Sequence, residues 1–136
     1  MKFSVNHACP CGSNIKYKKC CQLFHKGKVA SNSLELMKSR YSAYVLKDAK
    51  YIIKTTDVNN PDYTLEFDQW ENDILEFCNA SDFINLEILE FIDGDEESFV
   101  KFHVAVYIKN EDQSFTEKSK FVKRESKWLY HSATFE

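Results

Sequence analysis

Past Ser81 the hydrophobic pattern of the chain changes period, from recurrences every three or four residues to alternation, and that change fixes the order of helix and sheet. Before it, Leu34, Met37, Tyr41, Tyr44, Val45 and Asp48 place an apolar stripe along one side of a helix over about Leu34 to Lys47, with Arg40 beside the stripe. Ser33 is the expected N-cap, with Glu35 in the first turn. Asp48 is placed to cap a second short helix holding Tyr51, Ile52 and Ile53, and Asn59-Asn60-Pro61-Asp62 punctuates the chain. A third helix carries Leu65, Phe67, Trp70, Ile74, Phe77 and Cys78 inward and Glu66, Asp68, Glu71 and Asp73 outward. Four strands follow, Phe83 to Ile92, Phe99 to Ile108, Phe115 to Arg124 and Lys127 to Phe135. Their breaks, Asp93-Gly94-Asp95-Glu96, Asn110-Glu111-Asp112-Gln113 and Glu125-Ser126, are short and polar enough for hairpins, so the sheet is an antiparallel meander. Along the second strand Val100, Phe102, Val104, Val106 and Ile108 share one face. Helices first and antiparallel strands afterwards define an α+β fold in which helices pack on a curved sheet.

The N-terminal stretch is a different object. Residues 1–28 hold six lysines, Lys2, Lys16, Lys18, Lys19, Lys26 and Lys28, and no acidic side chain. The remaining 108 residues hold 12 basic and 21 acidic ones, so a basic head precedes an acidic body within a net charge of −3. The division is into residues 1–28 and 29–136. The segment from Asn6 to Gly27 has too little apolar periodicity to fold without a staple. Four of the five cysteines, Cys9, Cys11, Cys20 and Cys21, fall inside it in the spacing C-x-C-x8-C-C. No stretch of the chain reaches the ~18–20 apolar residues of a membrane span, and the start lacks the apolar run of a signal peptide. The expected setting is therefore cytoplasmic, where metal is favoured over disulfides. Zn²⁺ takes four thiolates in a tetrahedron, and two close pairs joined by a loop meet it from opposite sides. Gly12 permits the tight turn after the second cysteine, and Pro10 stiffens the first pair. Four thiolates leave no position for water, so the zinc would be structural. His7 and His25 lie outside the four positions and are expected at the surface; Cys78 belongs to the core side of the third helix.

The string from Cys9-Pro10-Cys11-Gly12-Ser13 through Lys18-Lys19-Cys20-Cys21 closely resembles the SEC-C motif, also found at the C-terminus of the SecA translocation ATPase. The resemblance implies zinc on Cys9, Cys11, Cys20 and Cys21, and contacts with protein partners and the ribosome by the related segment of SecA-like proteins. Lys16, Lys18 and Lys19, with Tyr17 among them, would then form a docking surface for a protein or for RNA phosphates.

Further on, Leu36-Met37-Lys38-Ser39-Arg40-Tyr41-Ser42-Ala43-Tyr44, Tyr51-Ile52-Ile53-Lys54-Thr55-Thr56, Leu86-Glu87-Ile88-Leu89, Glu117-Lys118-Ser119-Lys120-Phe121-Val122 and Lys127-Trp128-Leu129-Tyr130 resemble the YchJ (UPF0225) family, in which a SEC-C segment precedes an NTF2-like domain. The implied fold is an NTF2-like (cystatin-like) cone of N-terminal helices packed on a curved antiparallel sheet. Such sheets often pair, which makes a homodimer an expectation. Family members often carry His-Glu before the Ser-x-Phe element where this chain has Thr116-Glu117, so no histidine chemistry is carried over.

Cones of this kind often enclose a pocket. Its candidate lining residues are Arg40, Tyr44, Trp70, His103, Glu117, Ser119, Trp128 and Tyr130. Each has a structural counterpart: the rings as core, Arg40 and Glu117 as an ion pair or solvated charges, His103 as a hydrogen-bonded strand residue. With no nucleophile, phosphate loop or paired-carboxylate motif, a non-enzymatic adaptor or small-ligand binder is expected ahead of an enzyme working inside the cone, or of nucleic-acid binding by the basic head.

Overall fold

The computed structural model describes residues 3–136; Met1 and Lys2, the latter counted in the basic head, lie outside the described residues. A single 3-10 turn at Tyr17–Lys19 runs into helix α1, Cys21–His25. Helices α2, Ser33–Leu46, α3, Ala49–Lys54, and α4, Phe67–Ala80, follow. The strands are β1, Ser81–Ile92, β2, Glu97–Ile108, the two-residue β3, Glu111–Asp112, β4, Phe115–Arg124, and β5, Lys127–Phe135. All pair antiparallel in the order β1-β2-β4-β5, with β3 also on β2. The change of period at Ser81 is the boundary itself: α4 ends at Ala80, and the Ser81 hydroxyl closes it by donating to the Phe77 carbonyl at 2.7 Å.

Helix α2 begins one residue before the expected position. The Asn32 side chain accepts the Glu35 amide at 2.8 Å, while the Glu35 carboxylate reaches back to the Ser31 amide, also at 2.8 Å. This reciprocal cap leaves Ser33 as the first helical residue. Its hydroxyl turns inward and bonds the Ser98 hydroxyl of β2, both groups fully buried. The single apolar stripe expected along α2 is also corrected. Leu36, Met37 and Tyr41 pack on the sheet, Ala43 packs on the other helices, and Ser39, Arg40 and Ser42 are buried between. Asp48 caps α3 as its position indicates, accepting the Tyr51 amide at 3.1 Å. On α4 the buried set narrows to Trp70, Ile74 and Cys78, one residue per turn. Leu65, Phe67 and Phe77, expected inward, are exposed because only that narrow stripe faces α2 and α3.

The inner face of the sheet carries Val100, Phe102, Val104 and Val106 of β2, all buried, with Phe121 and Trp128 from β4 and β5. Together with Leu36, Met37 and Tyr41 they form one core. Phe24, Ala43, Ala49, Tyr51, Ile52, Trp70, Ile74 and Cys78 form a second one among the helices. Each large side chain taken fully from water contributes about 1.5–3 kcal/mol, so α2, shared by both cores, ties the helical layer to the sheet. Register shifts between Phe83 and Asn85, between Ile88 and Glu90, and between Lys120 and Phe121 bend the strands around α2. The Lys109-Asn110 and Glu125-Ser126 turns each place two successive residues at positive φ. At the β1–β2 turn a Cβ on Gly94 would stand 2.1 Å from the Glu97 carbonyl oxygen, so glycine is required there.

The segment after α3 runs beside β5. Thr56 and Tyr130 form a parallel bridge, the Asp57 amide donates to the Tyr130 carbonyl at 2.8 Å, and the Tyr130 amide donates to the Thr55 carbonyl at 2.9 Å. Asp57, fully buried, accepts two hydrogen bonds from the Nε and Nη2 of Arg124. No helix among the described residues is long and apolar enough to cross a membrane.

Candidate metal centre and cone cavity

The four cysteine sulfurs lie within 4.8 Å of one another. A tetrahedral zinc with Zn–S near ~2.3 Å has sulfur–sulfur edges of ~3.8 Å, and Cys11 Sγ to Cys20 Sγ measures 3.7 Å. The backbone forms that cluster locally. Ala8 bridges Lys16, the Cys9 amide donates to the Ile15 carbonyl at 2.8 Å, and Gly12 sits at a φ of 87°, where its amide donates to the Cys9 carbonyl. Cys9, Cys11 and Cys21 are buried, Cys20 half-buried. Hydrogen bonds from Cys11 and Cys21 drive the Cys9 thiol well below its usual range against the effect of burial, with help from the Ser42 hydroxyl and the Cys11 amide. Cys11 and Cys9 hold Cys21 well above its usual range, and burial adds to the effect. Thiols this close cannot all ionise without a cation, which is the condition a bound metal relieves. The residues fit a closed, four-sulfur metal site. The Ser13 and Ser42 hydroxyls lie 3.2 Å from Cys20 Sγ and 3.5 Å from Cys9 Sγ; sequence reasoning named neither as a partner of the site.

The knuckle is docked on the helices. His25, expected at the surface, is the bridge: its Nε2 donates to the Ser39 carbonyl of α2 at 2.8 Å, which leaves Nδ1 to accept the Tyr17 hydroxyl at 2.6 Å. Its ring packs on Tyr51 with centroids 4.6 Å apart, and Tyr51 in turn hydrogen-bonds Ser39 at 2.7 Å. Leu46 closes over the cysteines from α2. Lys16, Lys18 and Lys19 remain on the exposed side of the knuckle.

Between α2 and the inner face of the sheet lies a cavity of about 360 Å³. Of the residues that the sequence offers for a pocket, Arg40, Tyr44, Glu117, Ser119 and Tyr130 line it. Glu117 and Ser119 stand two apart on β4, opposite Phe102 and Val100 of β2, so alternation aims both inward. Glu117 accepts the Ser119 hydroxyl and, at 3.4 Å, the Tyr130 hydroxyl. Burial pushes its carboxyl above the usual carboxylate value, although Ser119, the Arg40 charge and Tyr130 pull the other way. Arg40 is not paired with Glu117. Its Nη1 donates to the Ile52 carbonyl at 3.0 Å and to the Thr55 and Thr56 hydroxyls at 2.7 and 3.2 Å, and the guanidinium lies over the Tyr130 ring at 4.6 Å. The far wall is Phe77, Phe83, Phe102, Val104, Phe115 and Phe135, of which the sequence indicated none as lining.

Three candidates fall elsewhere. His103 lies on the outer face of β2, its ring hydrogen-bonded to Thr116 at 2.9 Å, because strand alternation turns it away from Phe102 and Val104. Trp128 is buried in the core beneath, where its Nε1 has no acceptor among the described residues. Trp70 borders a second, more polar depression that shares Arg40, Tyr44, Phe77 and Tyr130 with the first.

The architecture is thus an NTF2-like α+β cone with a SEC-C cysteine knuckle fastened to its helices. A family model described as "YchJ, middle NTF2-like domain" matches residues 32–133, and one for the SEC-C motif matches residues 6–23. The chain belongs to the YchJ (UPF0225) family. It is 35% identical over 134 residues to a UPF0225 protein of Pectobacterium carotovorum, covering 93% of this chain and 82% of that protein. The solution structure of a SEC-C motif containing protein from Rhodopseudomonas palustris matches with TM-score 0.79 and 30% identity, over 94% of this chain and 98% of that one. A crystal structure of a SEC-C motif containing protein from Psychrobacter arcticus matches with TM-score 0.76 and 26% identity, over 93% and 81%.

Proposed function

We propose that the protein is a binding protein whose knuckle is stapled by a structural zinc ion and whose cone holds a small molecule. The carrying observation is the contrast between its two polar centres. Four sulfurs close on one another with no open position, while Arg40 and Glu117 face a cavity of about 360 Å³. Zinc in such a set supplies fold and charge rather than chemistry. The exposed Lys16, Lys18 and Lys19 serve as the docking edge for an acidic partner surface.

Two measurements on the full chain test this. Elemental analysis of protein purified without chelators finds about one zinc per chain, and Cys11→Ser lowers it sharply. A content far below one equivalent in an ordered knuckle overturns the zinc. The neutral apolar reporter N-phenyl-1-naphthylamine binds the cone with enhanced fluorescence and saturates at a single site; no binding overturns the ligand reading.

One observation favours a second reading, an enzyme in which Glu117 moves a proton: its carboxyl is buried in a cavity with its affinity for the proton raised. That reading requires a ligand to be consumed by the wild type and to be bound but unchanged by Glu117→Gln.

A further inference from the structure

We propose that the cone takes a hydrophobic monocarboxylate, an apolar or aromatic body with a single carboxylate that is held by the free edge of Arg40; the inference rests on the ligand-binding reading above.

Arg40 is only 7% exposed, yet it has no acidic partner. The ion pairs among the described residues are Lys101–Glu136, Lys120–Glu97 and Arg124–Asp57. A guanidinium withdrawn from water and paired only with neutral groups is costly, and an anion delivered to it relieves that cost. The three neutral oxygens all sit on Nη1, which fixes the plane of the group and leaves the Nε–Nη2 edge without an acceptor among the described residues. Trp128 Nε1 is the one side-chain polar atom among them that is both sealed and unpartnered, so the free edge of Arg40 is open to the cavities it lines. The same Nε–Nη2 edge is the one that Arg124 uses to grip both oxygens of Asp57 elsewhere in this protein. A carboxylate matches that edge with two parallel hydrogen bonds.

The rest of the lining selects the body of the ligand. Glu117 is occupied by Ser119 and Tyr130 and makes no ion pair with Arg40, so it does not take the place of the missing anion. Within the cone Arg40 and Glu117 are the charged lining residues, and Asp62, Glu66 and Asp73 line the neighbouring depression that Arg40 also borders, so this end of the site matches a single negative charge and disfavours a dianion such as a phosphate monoester. Beyond Arg40 and Glu117, Phe77, Phe83, Phe102, Val104 and Phe115 present only carbon, and about 360 Å³ accommodates a two-ring or medium-chain body.

The test is competition for the cone of the full chain between 2-naphthoate and its uncharged isostere 2-naphthamide, each displacing N-phenyl-1-naphthylamine. The expected result is that naphthoate displaces the reporter at a concentration at least about tenfold lower than naphthamide. In the wild type, naphthoate and not naphthamide shifts the Arg40 Nε–H nitrogen resonance. Arg40→Lys, checked by its melting temperature and by retained reporter binding, brings the two competitors to within about threefold, because an ammonium lacks the planar fork. Equal displacement by acid and amide in the wild type overturns the inference and leaves the cone a ligand site. An unmoved Arg40 resonance in the presence of bound naphthoate overturns it as well, even where Arg40→Lys fails to fold. A reporter that does not bind at all removes both the inference and the reading beneath it.

Discussion

Asp57 and Glu117 are both acidic side chains withdrawn from water, and their surroundings drive them in opposite directions. Burial raises the Asp57 carboxyl, but hydrogen bonds from Arg124 and the Asn59 amide outweigh it, so the group ends below its usual value of 3.8. A carboxylate depressed in the folded state contributes stability that is present above the unfolded value and lost as the pH falls through the folded one. Asp57→Asn is therefore expected to cost about 1.5–3 kcal/mol at neutral pH, with the deficit shrinking below the ordinary aspartate range; thermal unfolding of both proteins across an acid series measures it. Glu117 is raised instead, so its neutral form is the better fitted one and its contribution declines as the pH climbs past the folded value. Of the eight residues the sequence offers for a pocket, Arg40, Tyr44, Glu117, Ser119 and Tyr130 line the cavity while Trp70, His103 and Trp128 do not; strand alternation speaks for Glu117 and Ser119 but not for Arg40 and Tyr44 on α2. Nothing in the sequence marked His25 as a bridge, because Tyr17, Ser39 and Tyr51 come to it from three separate elements.

Among the elements, the strands were nearly complete in the sequence: β4 and β5 have the expected bounds, and β1 and β2 each start two residues earlier. Alternation is a local property, and it is clearest along β2. The helical faces were harder, since α2 is buried on several sides and α4 on one stripe, and which side a neighbour covers is decided by distant residues. The same limit hid Asn32, whose side chain became the cap once Ser33 was drawn to Ser98. The β4–β5 turn shows a local choice left unoptimised. Glu125 and Ser126 occupy φ of 50° and 68°, the left-handed region in which asparagine and glycine are at ease. Replacing the pair by Asn-Gly is expected to stabilise the protein by about 1 kcal/mol, read as a rise in melting temperature of about 3–5 °C, with the sheet register unchanged.

The knuckle and the cone are joined through few polar contacts, and His25 makes one of them, to the Ser39 carbonyl, while Tyr17 of the knuckle holds its ring in place. His25→Ala is expected to speed amide exchange in the knuckle by about tenfold while the sheet amides and the metal content stay as they were, since two neutral hydrogen bonds contribute about 1–3 kcal/mol. Exchange that rises equally in β2 and β4 shows instead that knuckle and cone open as one unit. The cysteine spacing made the candidate metal set visible at once, because all four thiols lie within thirteen residues; the docking involves groups as far apart as Cys9 and Ser42 and left no local trace.

The strap from Thr55 to Asn60 has a consequence for solubility. By taking up the backbone of Tyr130 on one flank and the carbonyl of His131 through Asn60, it occupies part of the margin along which another chain would otherwise add itself. The opposite margin, β1, is interrupted twice by register shifts, which spoil a template for an incoming strand. Growth of fibrils by templated strand addition is thereby discouraged at both ends of the meander.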